Sequence, residues 1–307
     1  MDVGFSDSQL ELRAAVRDVL AKECPPSLVR TCLDDPDAWR PLWKRAVDLG
    51  WTALATLDSD AGLGVIELIA VLEELGAAAA PIPFLSGVGL AAGALRAAGS
   101  DARRWQDELA DGAVGALAVD AMSGALDASR ADLVVLLADD ELSVLRRGSP
   151  EAVVPVSSRA ALAIPLTAIA AECVGLATKI LDVAVAHAGT REQFDRIIGS
   201  FQGVKHRLAD CYVAIERARS LTYAAAMLAD ANADADEAWR AAALAKASAS
   251  DAATETARAG VQVLGALGMT WEHDMHLYLR RAWQLEPVLG NSATLYRDAA
   301  ASLVGAS

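Results

Sequence analysis

Residues Arg191 to Cys211 read REQFDRIIGSFQGVKHRLADC, and the reading of this stretch decides how the chain on either side is understood. Ahead of it, Thr167 to Ala188 is apolar nearly all round, as in a helix at the centre of a bundle, and ends near Gly189. Behind it, Val204, Leu208, Cys211, Ile215 and Ala218 recur at intervals of four and three, the spacing of a helical packing seam. The joint between the two helices, with Gly199 in its linker, therefore puts Arg191, Gln193, Phe194, Phe201, Gln202, Lys205 and His206 on one exposed corner. Arginine offers phosphate a bidentate fork of donors, and aromatic rings offer a flat face to another ring. Chemistry alone leaves two readings open: a site for a phosphate-bearing cofactor, or an ordinary interhelix loop with a solvated charge cluster.

The same run resembles the FAD-contacting segment of the acyl-CoA dehydrogenase family, which has the form TRxQFGxPIGxFQxxKHxLAD. Thr190, Arg191, Gln193, Phe194, Ile198, Gly199, Phe201, Gln202, Lys205, His206, Leu208, Ala209 and Asp210 match it, while Asp195 replaces a glycine and Ile197 a proline. Two further stretches carry the resemblance. LGW at Leu49 to Trp51, GLG at Gly62 to Gly64, LEELG at Leu72 to Gly76 and PIPF at Pro81 to Phe84 are similar to the family's N-terminal helical domain. VQVLGALG, followed by HDMHLYLRRA, is similar to its QxxGGxGF segment and the helix after it, with Gln262, Gly265 and Gly268 matching and Ala266 in place of a second glycine.

The resemblance implies a short bacterial subunit of actinobacterial type and a mainly α fold in three parts. These are an N-terminal helical domain over 1–100, a small, truncated β middle domain over 101–165 and a C-terminal four-helix bundle over 166–307. It also implies that FAD is the cofactor, gripped by Arg191, Gln193, Phe194, Phe201 and His206 of one chain and by Gln262, Gly265 and Gly268 of another.

Length and charge set independent bounds. A chain of 307 residues exceeds the size at which one hydrophobic core is the default, and 54% hydrophobic residues are enough to build two or three packed subdomains. A net charge of −14 repels phosphate backbones and anionic lipid, so neither nucleic acid nor a membrane surface is expected as a partner. The apolar runs around Leu85 to Leu95 and Ile164 to Leu181 are interrupted by Pro, Gly, Arg or Glu, and no membrane span is expected. The acidic, periodic N-terminus lacks the basic start of a secretory signal, which points to the cytoplasm. Cys24, Cys32, Cys173 and Cys211 are scattered and read as buried thiols in a reducing compartment, not as metal ligands or disulfides. His273, Asp274 and His276 do not fall on one helical face, which argues against a metal there.

In chain order, the periodicity predicts an amphipathic helix from Asp7 to about Ala21 capped at Ser6 or Ser8. Pro25 and Pro26 end it, a polar loop follows, and a second helix runs from about Pro41 to Leu49. Strand-like pieces follow at Val114–Val119, Asp132–Ala138, Glu141–Arg147 and Ala152–Ser157, with Asp139 and Asp140 placed as a hairpin turn. The family's GSD element, which touches the flavin ring, has no match; SGALD at Ser123 to Asp127 is the nearest run and reads as a plain turn. An Ala-rich helix is expected from about Ala238 to Gly260.

The resemblance implies dehydrogenation of an acyl-CoA thioester, in which a glutamate removes the α-proton and the β-hydride passes to FAD. Counting from Arg280 and Arg281 to Gly290 puts Leu289 at the position of that glutamate, and leucine cannot accept a proton. The other position the family uses falls near Pro165 and Leu166, again not ionisable. Glu172 lies roughly 10 Å further along the helix axis and is a weak candidate, read first as a structural partner, and Glu286 is a weaker stand-in. The expected function is that of an acyl-CoA dehydrogenase subunit working in a hetero-oligomer with a longer acyl-CoA dehydrogenase subunit. The alternative is a non-catalytic partner that completes such an enzyme's FAD site and assembly.

Overall fold

The structure, a computed structural model, describes residues 5–56, 62–120, 124–146 and 148–305. Helix α1 (Asp7–Glu23) starts where the side chain of Ser6 accepts from the amide of Gln9 while Gln9 reaches back to the amide of Ser6, a reciprocal cap. Pro25 and Pro26 end α1 as expected, but the loop foreseen after them is a helix, α2 (Pro26–Asp34), with Pro26 in its first turn. A proline there forfeits only an amide that has no intrahelical partner. Helix α3 (Arg40–Asp48) buries Leu42, Trp43 and Ala46, and Gly50 turns the chain at φ +74.

Helix α4 (Val65–Ala77) carries the LEELG run and is buried on nearly every side. Its first amides, those of Val65 and Ile66, are capped from outside by the carboxylate of Asp230 at 2.8 and 3.2 Å, favoured by the helix dipole. After a π-helical stretch (Leu85–Ala92) come α5 (Gly93–Leu95) and α6 (Arg103–Ala110). The sheet follows: β1 (Gly115–Val119), β2 (Leu133–Ala138), β3 (Glu141–Arg146) and β4 (Ser149–Pro155), hydrogen-bonded in that order. The β1 and β2 strands are parallel, with Gly115 opposite Leu133, and the remaining pairs are antiparallel. Asp139 and Asp140 hold φ +51 and +58 at the β2–β3 turn, the paired left-handed geometry of a two-residue hairpin. Alternate residues Leu133, Val135 and Leu137 of β2 are buried, so one face of this small sheet packs inward.

Three long helices make the body of the bundle: α7 (Ser158–Thr190), α8 (Gln202–Asp230) and α9 (Ala235–Leu264). A two-stranded hairpin, β5 (Glu192–Gln193) and β6 (Arg196–Ile197), joins α7 to α8. Two shorter helices, α10 (Met275–Leu285) and α11 (Ser292–Leu303), pack on α9 and complete the bundle. Helix α7 begins nine residues earlier than the sequence suggested, with Pro165 inside it. An interior proline removes a backbone hydrogen bond, but here the ring packs where Gly93 leaves room: a Cβ on Gly93 would lie 2.9 Å from Ile164 and 3.3 Å from Pro165. By length and composition α7 could cross a membrane, yet 89% of its most apolar window is buried within the protein.

The N-terminal helices are held to the bundle where α4 crosses α7. A Cβ on Gly175 of α7 would lie 1.9 Å from the carbonyl oxygen of Glu73, and one on Gly76 of α4 would lie 2.2 Å from that of Glu172. Each helix thus rests its backbone on a glycine of the other. Gly175→Ala must part the helices, and we expect it to destabilise the protein by about 3 kcal/mol or more. Gly189→Ala, where a Cβ meets nothing within 4 Å, should be neutral or gain up to about 1 kcal/mol. Equal thermal midpoints for the two variants would show that the crossing is not this tight.

Candidate functional site

Helix α7 ends at Thr190, where the amide of Arg191 still bonds the carbonyl of His187. The chain then reverses within four residues: Phe194 and Asp195 take φ +53 and +61 between β5 and β6, and the amide of Ile198 closes onto the carbonyl of Arg191 at 2.8 Å. Asp195 stands where the related motif has glycine and adopts the left-handed conformation glycine favours, which aspartate tolerates better than most residues. Gly199 then passes under the end of α7, where a Cβ would come 2.8 Å from the carbonyl of Ala188. The joint is therefore a rigid hairpin and not an open linker, and α8 starts at Gln202, two residues before the position read from the sequence.

This hairpin displays the predicted residues to solvent. Phe194 is 87% exposed and meets Phe201 edge-on, with ring centres 6.3 Å apart, while the guanidinium of Arg196 lies 4.0 Å over the other aromatic partner, Phe201. Arg191, Gln193, Lys205 and His206 are exposed beside them, and the Gln193 amide donates to the carbonyl of Glu192. Among the described residues, no carboxylate pairs with Arg191 or Lys205. The corner presents cations without counter-ions next to flat aromatic faces.

Helix α9 runs parallel to α7, so its C-terminal end comes to the same end of the bundle. Gly265 breaks the helix at φ +64 and ψ −139, a conformation that only glycine adopts easily. Gly268 packs so closely on the preceding turn that a Cβ would sit 3.1 Å from Leu264 and Val261. Gln262 is exposed before this loop. The structure thus gathers the hairpin residues and the Gln262–Gly268 segment at one end of one chain. Met269 and Trp271, both exposed, extend that end. Trp271 stacks on His276 at 4.6 Å, and Arg30 bonds the Trp271 carbonyl and Asp274. No metal-binding cluster forms among the described residues; His273 instead accepts from the amide of Met275 at the start of α10.

A cavity of about 590 Å³ lies between the sheet and the turn that follows α10, walled by Leu117, Val119, Leu126, Leu162, Val288 and Leu289. Leu289 holds φ +58 and is followed by Gly290 at φ +107. Neither Glu172 nor Glu286 lines this cavity. Asp120, which the sequence reading passed over, is the one carboxylate among the described lining residues; its signal was its position directly after strand β1. Ser123 of the SGALD run lies outside the described residues. Glu172 is buried and bound to Arg281 at 2.6 Å, with Arg281 also donating to Gln284. This is the structural role read first for it. Thiol chemistry has no support here: three of the four cysteines are buried and Cys32 is half-buried, and burial pushes Cys173 and Cys24 up to about 12.

His187 stands just before the hairpin, and its imidazole is pushed below its usual 6.5 by burial, with Arg191 and His273 adding to the effect. The unfolded chain would take up this proton first, so the contribution of His187 to stability falls as pH drops through the usual range and below it. An NMR titration should give a midpoint below 6.5 that moves up in Arg191→Ala; an unmoved midpoint would place the guanidinium elsewhere. For the buried pair, Glu172→Gln should cost about 3 kcal/mol by stranding Arg281, and Glu172→Met with Arg281→Met should recover most of it. Denaturant midpoints of the single and double variants decide this.

Comparison with known proteins gives the family. Residues 6–113 match the family described as acyl-CoA dehydrogenase, N-terminal domain, and residues 159–304 that described as acyl-CoA dehydrogenase, C-terminal domain. The chain is 36% identical over 299 residues to acyl-CoA dehydrogenase IpdE2 of Mycobacterium tuberculosis, covering 88% of this chain and 89% of the relative. It is 31% identical to IpdE2 of Mycolicibacterium smegmatis, covering 93% and 96%. Among solved structures, a chain of the ChsE4–ChsE5 complex from Mycobacterium tuberculosis superposes with a TM-score of 0.84 at 25% identity over 99% of both chains.

Proposed function

Because the chain belongs to the acyl-CoA dehydrogenase family, we propose that it acts as one subunit of a hetero-oligomeric, FAD-dependent acyl-CoA dehydrogenase whose proton acceptor comes from a longer partner chain. One observation carries the reading. The cavity beside the α10–α11 turn has Leu289 in its wall, and neither Glu172 nor Glu286 reaches it. The ion pair of Glu172 with Arg281 at 2.6 Å supports a bracing role for it and not that of the base.

The residues at the end of the bundle fit FAD. Arg191 and Lys205 offer charge-assisted donors to a diphosphate, Phe194 and Phe201 offer faces to a ring, and Gly265 lets backbone approach without a side chain in the way. All of these but the half-buried Phe201 lie exposed on the surface of one chain, as suits a cofactor clasped between two subunits. FAD, when bound, accepts the hydride. The contribution of this chain is to bind and orient, through Arg191, Gln193, Phe194, Phe201 and His206 on one side of a cofactor and Gln262, Gly265 and Gly268 on another. The ChsE4–ChsE5 relative is itself a complex of two different chains, which supports a hetero-oligomer. Four free thiols support a reducing compartment, the cytoplasm.

The test is turnover of the complex co-purified with a full-length dehydrogenase partner. Asp120→Asn, Glu172→Gln and Glu286→Gln in this chain should each leave acyl-CoA oxidation within about threefold of the parent, whereas replacing the partner's catalytic glutamate should abolish it, since a proton acceptor contributes about a hundredfold or more. Loss of turnover with Asp120→Asn or Glu172→Gln alone, in a folded complex, contradicts the proposal. Arg191→Ala should lower flavin occupancy of the same complex without dissociating it; unchanged occupancy would remove Arg191 from the cofactor site.

A further inference from the structure

Lys246 lies in the middle of α9 with no exposed surface, among alanines and serines. A lysine this deep is uncommon, because removing an ammonium from water is costly unless its donors are used. Its Nζ donates to two main-chain carbonyls, that of Glu286 and that of Gly290. These oxygens bracket the turn between α10 and α11. Within the bracket, Leu289 sits at φ +58, a left-handed conformation that is unfavourable for a residue with a Cβ and persists only where its surroundings enforce it. Local turn bonds, Val288 to Leu285 and Gly290 to Pro287, each 3.2 Å, close the loop on itself; Lys246 adds hydrogen bonds from α9 to both of its ends. Pro287, Val288, Leu289 and Gly290 also form one wall of the cavity of about 590 Å³.

We propose that Lys246 is the positioning residue for this wall: through its bonds to the carbonyls of Glu286 and Gly290 it fixes how residue 289 meets the cavity, and so shapes the space offered to an acyl chain. Lys246 itself touches no part of that space. It acts at second hand, from α9, on a turn belonging to α10 and α11. Only the identification of the ligand as an acyl-CoA rests on the dehydrogenase reading; the clamp rests on the geometry.

Two variants of the full chain test it. Lys246→Met, one atom shorter, removes all donors, and Lys246→Gln, with as many atoms along the chain as methionine, retains two. The readouts are amide hydrogen exchange and binding of octanoyl-CoA. In Lys246→Met, exchange of Val288 to Asn291 should accelerate about tenfold or more, as expected where opening no longer breaks two buried hydrogen bonds. Protection in α8 should stay unchanged, and octanoyl-CoA should bind more weakly. Lys246→Gln should fall between parent and Lys246→Met. The proposal is overturned if the exchange of Val288 to Asn291 is the same in Lys246→Met as in the parent, or if both variants lose protection uniformly over α7, α8 and α9. Octanoyl-CoA binding is read on the chain co-purified with its dehydrogenase partner; should it not bind that parent complex, the acyl-CoA reading fails, and the exchange comparison still decides the clamp.

Discussion

Two backbone carbonyls, those of Glu73 and Glu172, press against glycines of the opposing helix, and the rest of the molecule is arranged around that contact. Helices at this separation have no room for side chains at the crossing point, so Gly76 and Gly175 are required. The same closeness draws the carboxylates of Glu73, Glu74 and Glu172 out of water, and each then needs cations. Arg13 and Arg17 of α1 supply them for Glu73 and Glu74 at 2.7 to 3.0 Å, Tyr223 of α8 donates to Glu73, and Arg281 of α10 supplies the partner for Glu172. One steric constraint thereby fixes where α1, α8 and α10 lie. Through Arg281 and Gln284 it also fixes the approach to the turn that walls the cavity.

Much of this was legible in the sequence, for physical reasons. The four strands announced themselves as short β-like runs with the Asp139–Asp140 turn between two of them, and the long helices through apolar length. The FAD-like corner was visible because its chemistry is concentrated in one short run. What stayed hidden depended on tertiary packing. Proline at position 165 reads as a helix stop until Gly93 is seen to make room for it, and Pro26 reads as a terminator although it opens α2. The hairpin after Arg191 escaped notice because Phe194 is an unusual residue at positive φ, where asparagine or glycine would have signalled the turn.

The candidate site divides in the same way. Arg191 through His206 could be named from their motif, and the structure places them together. The absence of a carboxylate at position 289 could also be read by counting. Lys246 could not, since nothing in the sequence near it reports that it bonds a turn forty residues further on, and for Asp120 the position directly after a strand was the one signal, one that does not name the cavity it lines. Burial, not motif, is what singles out Lys246.

A chain with cations and aromatic faces exposed at one corner and a leucine in its cavity wall fits the proposed shared site. Exposure of most of the proposed cofactor corner, with Phe194 as its extreme, supports the proposal that another chain completes this surface. The most direct measurement is the visible absorbance of the chain purified alone after expression in flavin-replete cells, set against protein concentration and molar mass in solution. The account predicts a colourless or nearly colourless preparation that becomes yellow only when a longer dehydrogenase subunit is co-purified with it. A stoichiometrically yellow homo-oligomer of this chain, turning over acyl-CoA unaided, would contradict it.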